Sequence, residues 1–176
     1  MRIGLHSVRS FIKDGLRKRL VRDLKRRRIA SEADLQSCTY FHLRRYLSRD
    51  PKWTVLNQPY VRDTSVFPDL VLRRRGKTRV VIELKEKRTL TPKWFRADAA
   101  KLQALWRRSH RPISGFIVCL LRQRETETAL QKIADSWRTR YQRKHIFPII
   151  INARCHIQDW NSFGDWWRKN ARTNLR

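Results

Sequence analysis

Asp69, Glu83 and Lys85 are the residues whose types and spacing could do chemistry in this chain. Two carboxylates that meet across neighbouring strands at roughly 5 Å repel each other by about 3 kcal/mol at an effective dielectric of roughly 20. A divalent cation between them reverses the sign of that interaction, and oxygen-only ligation is typical of Mg²⁺. With an ammonium group beside it, such an ion can hold a phosphoryl oxygen and activate water, so these residues indicate phosphodiester hydrolysis.

The spacing of these residues predicts that a β-hairpin brings them together. With a three-residue loop at 75–77, Leu72 lies opposite Val80 and Asp69 lies opposite Glu83. Directly opposed residues of an antiparallel pair point to the same side of the sheet, so the two carboxylates are expected to meet there. The lysine two residues after Glu83 joins the same side.

A third acidic residue, Glu32, is expected in the first turn of a helix that precedes these strands. Ser31 and Asp34 have the spacing of an N-terminal cap. At helical spacing Glu32 shares a face with Leu35 and Leu43, so its carboxylate should look toward the interior. Favourable interaction with the helix dipole would by itself explain an acidic residue at this position.

Pro68-Asp69, a spacer of thirteen residues and then Glu83-Leu84-Lys85 resemble the motif of the PD-(D/E)XK nuclease superfamily. The likeness in element order covers about residues 30–152, whereas the motif itself covers only 68–85. The resemblance implies that Asp69 and Glu83 are metal ligands, that the Leu84 main-chain carbonyl is a further ligand, and that Lys85 is the catalytic lysine. Many members place a glutamate on the helix before the sheet, and Glu32 matches that position. The implied cofactor is Mg²⁺, for which Mn²⁺ would substitute.

Basic and amide residues follow the motif. Superfamily members often use a lysine or glutamine on the next helix near the site, and Lys101 and Gln103 are both candidates for that part. Asp98 is expected to cap or pair on the surface. Such side chains usually contact phosphates rather than read bases, so they predict salt-sensitive binding to DNA, with RNA not excluded. The predicted nucleic-acid-binding residues are Lys87, Arg88, Lys93, Lys101 and Gln103.

Periodicity and turn signals predict five strands interleaved with helices, in the order helix, three strands, helix, strand, helix, strand. The resemblance implies that these form an α/β fold of three layers, with a mixed, mostly five-stranded central sheet in an αβββαβ core. One domain is expected, with a basic N-terminal helix at 1–29, the nuclease core at 30–152 and a tryptophan-rich extension with a C-terminal helix at 153–176. Pro59 indicates that the first strand lies at a sheet edge, because proline cannot donate to a ladder. The predicted helices are 1–28, 31–47, 125–141 and one that begins at Thr91-Pro92; the predicted strands are 53–61, 67–74, 78–85, 113–121 and 146–152.

Residues 1–28 combine one apolar stripe with a strong positive charge. Val8, Ile12, Leu16, Leu20 and Leu24 recur every four positions, and the segment carries eleven Lys or Arg against two Asp. Two interpretations stay open and are compatible: a helix packed on the body with a solvated basic face, or an arm that follows phosphates.

The composition points to a polyanionic partner. The 176 residues carry a formal net charge of +27 with 40% hydrophobic residues, which disfavours disorder. Neither a membrane-spanning run nor a secretory signal is expected, so the chain is placed in the cytoplasm, with the nucleoid, or in the nucleus. Three scattered cysteines indicate reduced thiols and no zinc clip.

The prediction is therefore a Mg²⁺-dependent endonuclease acting on DNA. One alternative is a nucleic-acid-binding or assembly protein that keeps the fold but does no chemistry. Another is an end-cleaving component of a mobile element, from Gln58-Pro59 ahead of the motif. A homodimer is a hypothesis, since cutting both strands with one small site usually needs two copies. Trp160, Trp166 and Trp167 either stack on bases or, as we favour, bury a last helix or a dimer seam.

Overall fold

The computed structural model of the protein describes residues 2–59, 67–88, 92–108, 113–122 and 145–152. They form an α/β fold with a five-stranded mixed sheet. The predicted helix at 125–141 and the extension at 153–176 lie outside the described residues. The elements in chain order are α1 (Leu5–Ser10), a π-helical segment (Phe11–Leu16), α2 (Arg17–Lys25), α3 (Glu32–Leu47), β1 (Trp53–Asn57), β2 (Leu70–Arg74), β3 (Lys77–Lys87), α4 (Pro92–Arg108), β4 (Ser114–Leu121) and β5 (Ile146–Asn152).

The N-terminal helix runs without a break through α1, the π-helical segment and α2. Its apolar stripe is fully buried at Val8, Ile12, Leu16 and Leu20. Residues four apart in an α-helix drift by about 40° around the axis at each step, so this stripe would spiral away from the core. The wider turn of the π-helical segment offsets that drift, which explains why a strict four-residue spacing still faces the core.

Two contacts between side chains fix this helix against α3. Phe11 stacks on Tyr46 with ring centroids 3.9 Å apart. Asp23 and His42, both buried, form a hydrogen-bonded pair at 2.5 Å between Oδ2 and Nε2. The N-terminal helix is therefore part of the hydrophobic core rather than a detached arm.

The N-terminus of α3 is capped as the sequence predicts. The Ser31 hydroxyl accepts a hydrogen bond from the Asp34 backbone N–H, and the Asp34 carboxylate accepts one from the Ser31 N–H. These bonds satisfy donors that the first turn leaves free, so α3 begins at Glu32.

The strand order in the sheet is β1-β2-β3-β4-β5. The pairs β1–β2 and β2–β3 are antiparallel, and β3–β4 and β4–β5 are parallel. β1 is an edge strand, as Pro59 predicted, although the strand already ends at Asn57. Phe67–Asp69 do not belong to β2, because Pro68 has no N–H to donate and Asp69 turns its side chain toward β3.

The hairpin between β2 and β3 has the predicted register but not the predicted loop. Leu72 lies opposite Val80, as expected. The loop is only Arg75-Gly76, both with positive φ (51° and 74°), as a tight two-residue hairpin requires. A β-bulge at Arg79 adds the residue that the shorter loop saves, so the strand beyond it keeps the expected register.

Helices cover both faces of the sheet. Leu72, Ile82 and Leu84 belong to the cluster shared with the N-terminal helix and α3. Val71 and Val81, which alternate with them, belong to the cluster formed with α4. All eight residues of β4 are buried, as expected for a parallel strand covered on both sides.

None of the helices described is long and apolar enough to cross a membrane. Cys38 and Cys119 are free thiols, and burial raises the pKa of each. They are thus poor nucleophiles at neutral pH.

Candidate active site

The hairpin brings Asp69 to the end of β3 that carries Glu83. Their positions continue the register in which Leu70 lies opposite Ile82. Asp69 Oδ2 accepts a hydrogen bond of 2.6 Å from the Leu84 backbone N–H. β2 begins only at Leu70 and supplies no backbone carbonyl to the Leu84 N–H. The Asp69 carboxylate accepts this hydrogen bond instead.

Glu32 reaches the same strand end from the first turn of α3. Its Oε2 accepts a hydrogen bond of 2.9 Å from the Glu86 backbone N–H, two residues beyond Leu84. Its Oε1 lies 3.9 Å from Lys85 Nζ. Leu35 and Leu43 on the same helix face are buried, but the Glu32 side chain is half exposed at the rim of the sheet. The prediction that this carboxylate looks into the interior is therefore only partly right.

Glu83 is the most deeply buried acidic side chain of the site, at 1% exposure. Its Oε2 lies 3.9 Å from Lys101 Nζ, and its Oε1 has no hydrogen-bond partner among the described residues. Burial, and then repulsion from Asp69, raise the pKa of Glu83 to about 7. Burying Glu83 beside Asp69 does not stabilise the sheet, because an ionised Glu83 carboxylate is neither solvated nor fully hydrogen-bonded at this position.

The pKa values of Asp69 and Lys85, beside Glu83, are raised as well. Burial raises the pKa of Asp69, although its hydrogen bond from the Leu84 N–H acts in the opposite direction. Burial alone would lower the pKa of Lys85, but the surrounding carboxylates, Asp98 and Glu32 first, raise it above the ordinary value. Lys85 therefore stays an ammonium at neutral pH.

A fourth carboxylate, Asp98 of α4, belongs to this group. It is 4% exposed, so the expectation of a surface residue is wrong. Lys101 Nζ lies 3.6 Å from Asp98 Oδ1, while Asp98 Oδ2 has no partner within the described part of the chain. Burial raises the pKa of Asp98. Lys101 thus bridges two buried carboxylates, Asp98 and Glu83.

A sequence signal for Asp98 was present in the helical spacing. Phe95, Leu102 and Leu105 are buried on one face of α4, and Asp98 lies three residues after the first and four before the second. An acidic residue on an apolar stripe indicates a buried partner. Ala99, the next residue along the chain, is fully buried on the same side of α4.

Two further residues position the site and carry no signal in the sequence. Gln36, one turn after Glu32, donates to the Asp69 main-chain carbonyl at 3.4 Å. Arg122, at the end of β4, donates to Glu86 Oε1 and to the Ala30 carbonyl, each at 2.6 Å. These contacts join segments up to 92 residues apart, which periodicity cannot reveal.

The predicted nucleic-acid-binding residues are placed as follows. Lys101 lies at the carboxylates, whereas Gln103, two residues later, lies on another side of α4. Lys87 is half-buried at the end of β3, and Arg88 after it is exposed. The side chain of Lys93 lies outside the described residues.

Within the described ranges, no group of three or more His, Cys, Asp or Glu side chains has the arrangement of a metal site. Protein-family models, curated proteins and solved structures were each compared with the chain, and none matched it.

Proposed function

We propose that the protein is a metal-dependent endonuclease that hydrolyses DNA phosphodiester bonds with Asp69, Glu83 and Lys85. The observation that carries the proposal is the burial of Glu83 beside Asp69, with one Glu83 oxygen lacking a described partner. Perturbed carboxylates in such a setting are typical of functional sites, since structure alone does not favour them.

The donor chemistry of these residues fits a hard divalent cation. Asp69, Glu83, Glu32 and the Leu84 main-chain carbonyl would hold Mg²⁺, or Mn²⁺ in its place, through oxygen atoms only. When bound, the ion polarises a phosphoryl oxygen and lowers the pKa of a water molecule. The oxygen of Glu83 that lacks a described partner is the feature that such an ion would satisfy.

Lys85 acts as a cation rather than as a base in this proposal. The raised pKa of Lys85 keeps its proton at neutral pH. Its ammonium lies 3.9 Å from Glu32 Oε1 and its side chain is 21% exposed, so it can meet a phosphate while staying oriented. There it offsets the negative charge that develops on the phosphate during attack by water.

The second candidate function is a DNA-binding protein that does no chemistry. It is favoured by Lys101, whose ammonium lies 3.9 Å from Glu83 Oε2 and offsets the charge that a metal ion would otherwise offset. The basic surface serves this function equally well.

Purified protein incubated with plasmid, in Mg²⁺ or in chelator, distinguishes these functions. We expect nicks only with the metal. Asp69→Asn, Asp69→Ala and Lys85→Ala should each lower the nicking rate by at least about 100-fold, because each removes a charge at the reacting group. DNA binding in chelator should persist, since the basic surface supplies it.

Asp14→Ala and Lys77→Ala are the matched controls, because Asp14 and Lys77 are exposed and lie away from the site. Full cutting by the Asp69 variants would refute the proposal, and binding without nicks in any metal would establish the second function. A panel of duplex, single strand, flap, four-way junction and RNA then defines the substrate.

A further inference from the structure

The outer face of α2 presents a row of cations. Lys18, Arg22, Lys25 and Arg26 are exposed and recur at helical spacing, and together we name them the α2 basic face. Asp23, the one acid of α2, is buried against His42. Across the described residues, no carboxylate pairs with any cation of this face.

This face is held rigidly. The opposite side of the N-terminal helix is part of the hydrophobic core through Ile12, Leu16 and Leu20. Phe11 on Tyr46 fixes the rotation of the helix about its axis. The cations therefore start from a fixed backbone, which lowers the entropy lost when they bind a ligand.

The α2 basic face leads to the candidate active site. α2 ends at Lys25, and Arg27 and Arg28 continue the exposed positive charge toward α3. Arg122, whose charge is paired with Glu86, binds the Ala30 carbonyl just before α3, and the exposed Arg88 follows the end of β3 whose Glu86 N–H binds Glu32.

A structural role does not account for these charges. Like charges one turn apart, such as Lys18 and Arg22, destabilise a helix by a few tenths of a kcal/mol per pair. The helix dipole favours cations only in the last turn, which includes Arg22 and Lys25 but not Lys18. A bound anion removes the repulsion.

We propose that the α2 basic face binds the phosphate backbone of the DNA that enters the site. From Lys18 to Arg26 the helix rises about 12 Å, which matches about three phosphates of one strand. A lipid surface fits poorly, because a membrane-bound amphipathic helix needs a free apolar face and that of α2 is buried in the core. The inference rests on the proposed function for the choice of DNA as the partner.

The test measures DNA binding in chelator, where no cutting occurs. Anisotropy of a labelled duplex of about 24 base pairs is followed between about 50 and 200 mM NaCl. Arg22→Gln/Lys25→Gln removes two charges from the face. Arg75→Gln/Lys77→Gln removes two exposed charges at the hairpin, one from its loop and one from the first residue of β3, at the opposite end of β3 from Glu83.

We expect the α2 variant to lose about 10- to 60-fold in DNA affinity near 0.1 M salt. The slope of log affinity against log salt concentration should become shallower by about 1.8, which corresponds to the loss of two phosphate contacts. The hairpin variant should change less than twofold. All four side chains are exposed, so both variants should keep the thermal midpoint of the parent protein.

Equal weakening by the two variants would overturn the inference, since it would show an effect of net charge alone. The inference would also be overturned if the α2 variant bound DNA as the parent does but no longer bound phosphatidylserine vesicles, since the face would then bind lipid. A protein that binds DNA through α2 but never nicks it would refute only the proposed function. Nicking with α2-independent binding would refute only this inference.

Discussion

Glu83 links the chemistry of the site to the stability of the fold. In the folded chain its carboxyl group keeps a proton up to about pH 7, whereas the unfolded chain releases it near the ordinary value of 4.5. The folded state therefore holds more protons between these values. The contribution of Glu83 to stability falls as the pH rises through this window and is constant above it. A metal that requires the ionised form binds more tightly as the pH rises through 7.

Glu83→Gln should stabilise the protein while it removes cleavage. At pH 8 in chelator, we expect the free energy of unfolding to rise by up to about 3 kcal/mol, since the pKa of Glu83 shifts from 4.5 to about 7 and each tenfold change in proton affinity is worth 1.36 kcal/mol. At pH 4 the two proteins should be nearly equal. Urea unfolding at both pH values measures this.

Asp14→Asn, which removes an exposed carboxylate, serves as the control and should change stability little at either pH. If Glu83→Gln destabilised the protein equally at both pH values, the side chain would have a packing role and not a charge that burial disfavours.

Single residues differ in how far the sequence could reveal them. Asp69, Glu83 and Lys85 lie on one hairpin, so alternation and register are enough to bring them together. Asp98 and Lys101 come from a separate helix, and their approach to Glu83 depends on how α4 packs on β4. That packing depends on distant contacts, which the local sequence does not encode.

At the scale of elements, α4 approaches the sheet over Gly115. A Cβ atom at this position would lie 3.0 Å from Leu102 Cδ1 and 3.3 Å from Ile146 Cγ1. The absence of a side chain at Gly115 thus lets Leu102 of α4, the helix that carries Asp98 and Lys101, pack closely on β4.

Gly115→Ala should lower the free energy of unfolding by about 1–3 kcal/mol, the usual cost of an overpacked core. Cleavage should fall as well, because α4 is displaced from the site. Guanidinium unfolding measures the first effect and plasmid nicking the second.

A double-mutant cycle with Leu102→Val tests the cause. The smaller side chain gives the new methyl group room, so the two substitutions should show a coupling of about 1 kcal/mol in the relieving direction. If the stability losses of the two substitutions were strictly additive, the effect of Gly115→Ala would not come from its contact with Leu102.

The hairpin shows why its register was predictable and its loop was not. A three-residue loop and a two-residue loop followed by a bulge give β3 the same alternation beyond Arg79. Apolar periodicity therefore cannot distinguish them. The positive φ of Arg75 is also hidden, since arginine has no preference for that region.

At the scale of the whole molecule, a net charge of +27 acts against compactness. Its 42 Lys and Arg outnumber its 15 Asp and Glu, and three ion pairs between described residues involve the acids of the candidate site. Most of the positive charge is therefore balanced by solvent ions.

Added NaCl should stabilise the protein. Screening weakens the mutual repulsion of surface cations, so between about 50 and 500 mM NaCl we expect the thermal midpoint to rise by about 2–4 °C, equivalent to about 1 kcal/mol. Differential scanning calorimetry measures it, with equal osmolality of glycerol as the control. A midpoint that falls with salt would mean that attractive ion pairs outweigh the repulsion.

The hydrogen bonds from the Leu84 and Glu86 backbone to Asp69 and Glu32 give these carboxylates a second task. β3 continues past the end of the shorter β2, so the backbone N–H groups of Leu84 and Glu86 have no partner on that strand. Left unpaired, they could pair with a strand of another molecule. The two acids cover these donors, so we expect their truncation to alanine to cause self-association, in addition to the loss of cleavage expected under the proposed function. Asp69→Asn and Glu32→Gln keep a side-chain oxygen that can accept these hydrogen bonds. Comparison of the amide variants with the alanine variants would therefore separate loss of solubility from loss of cleavage.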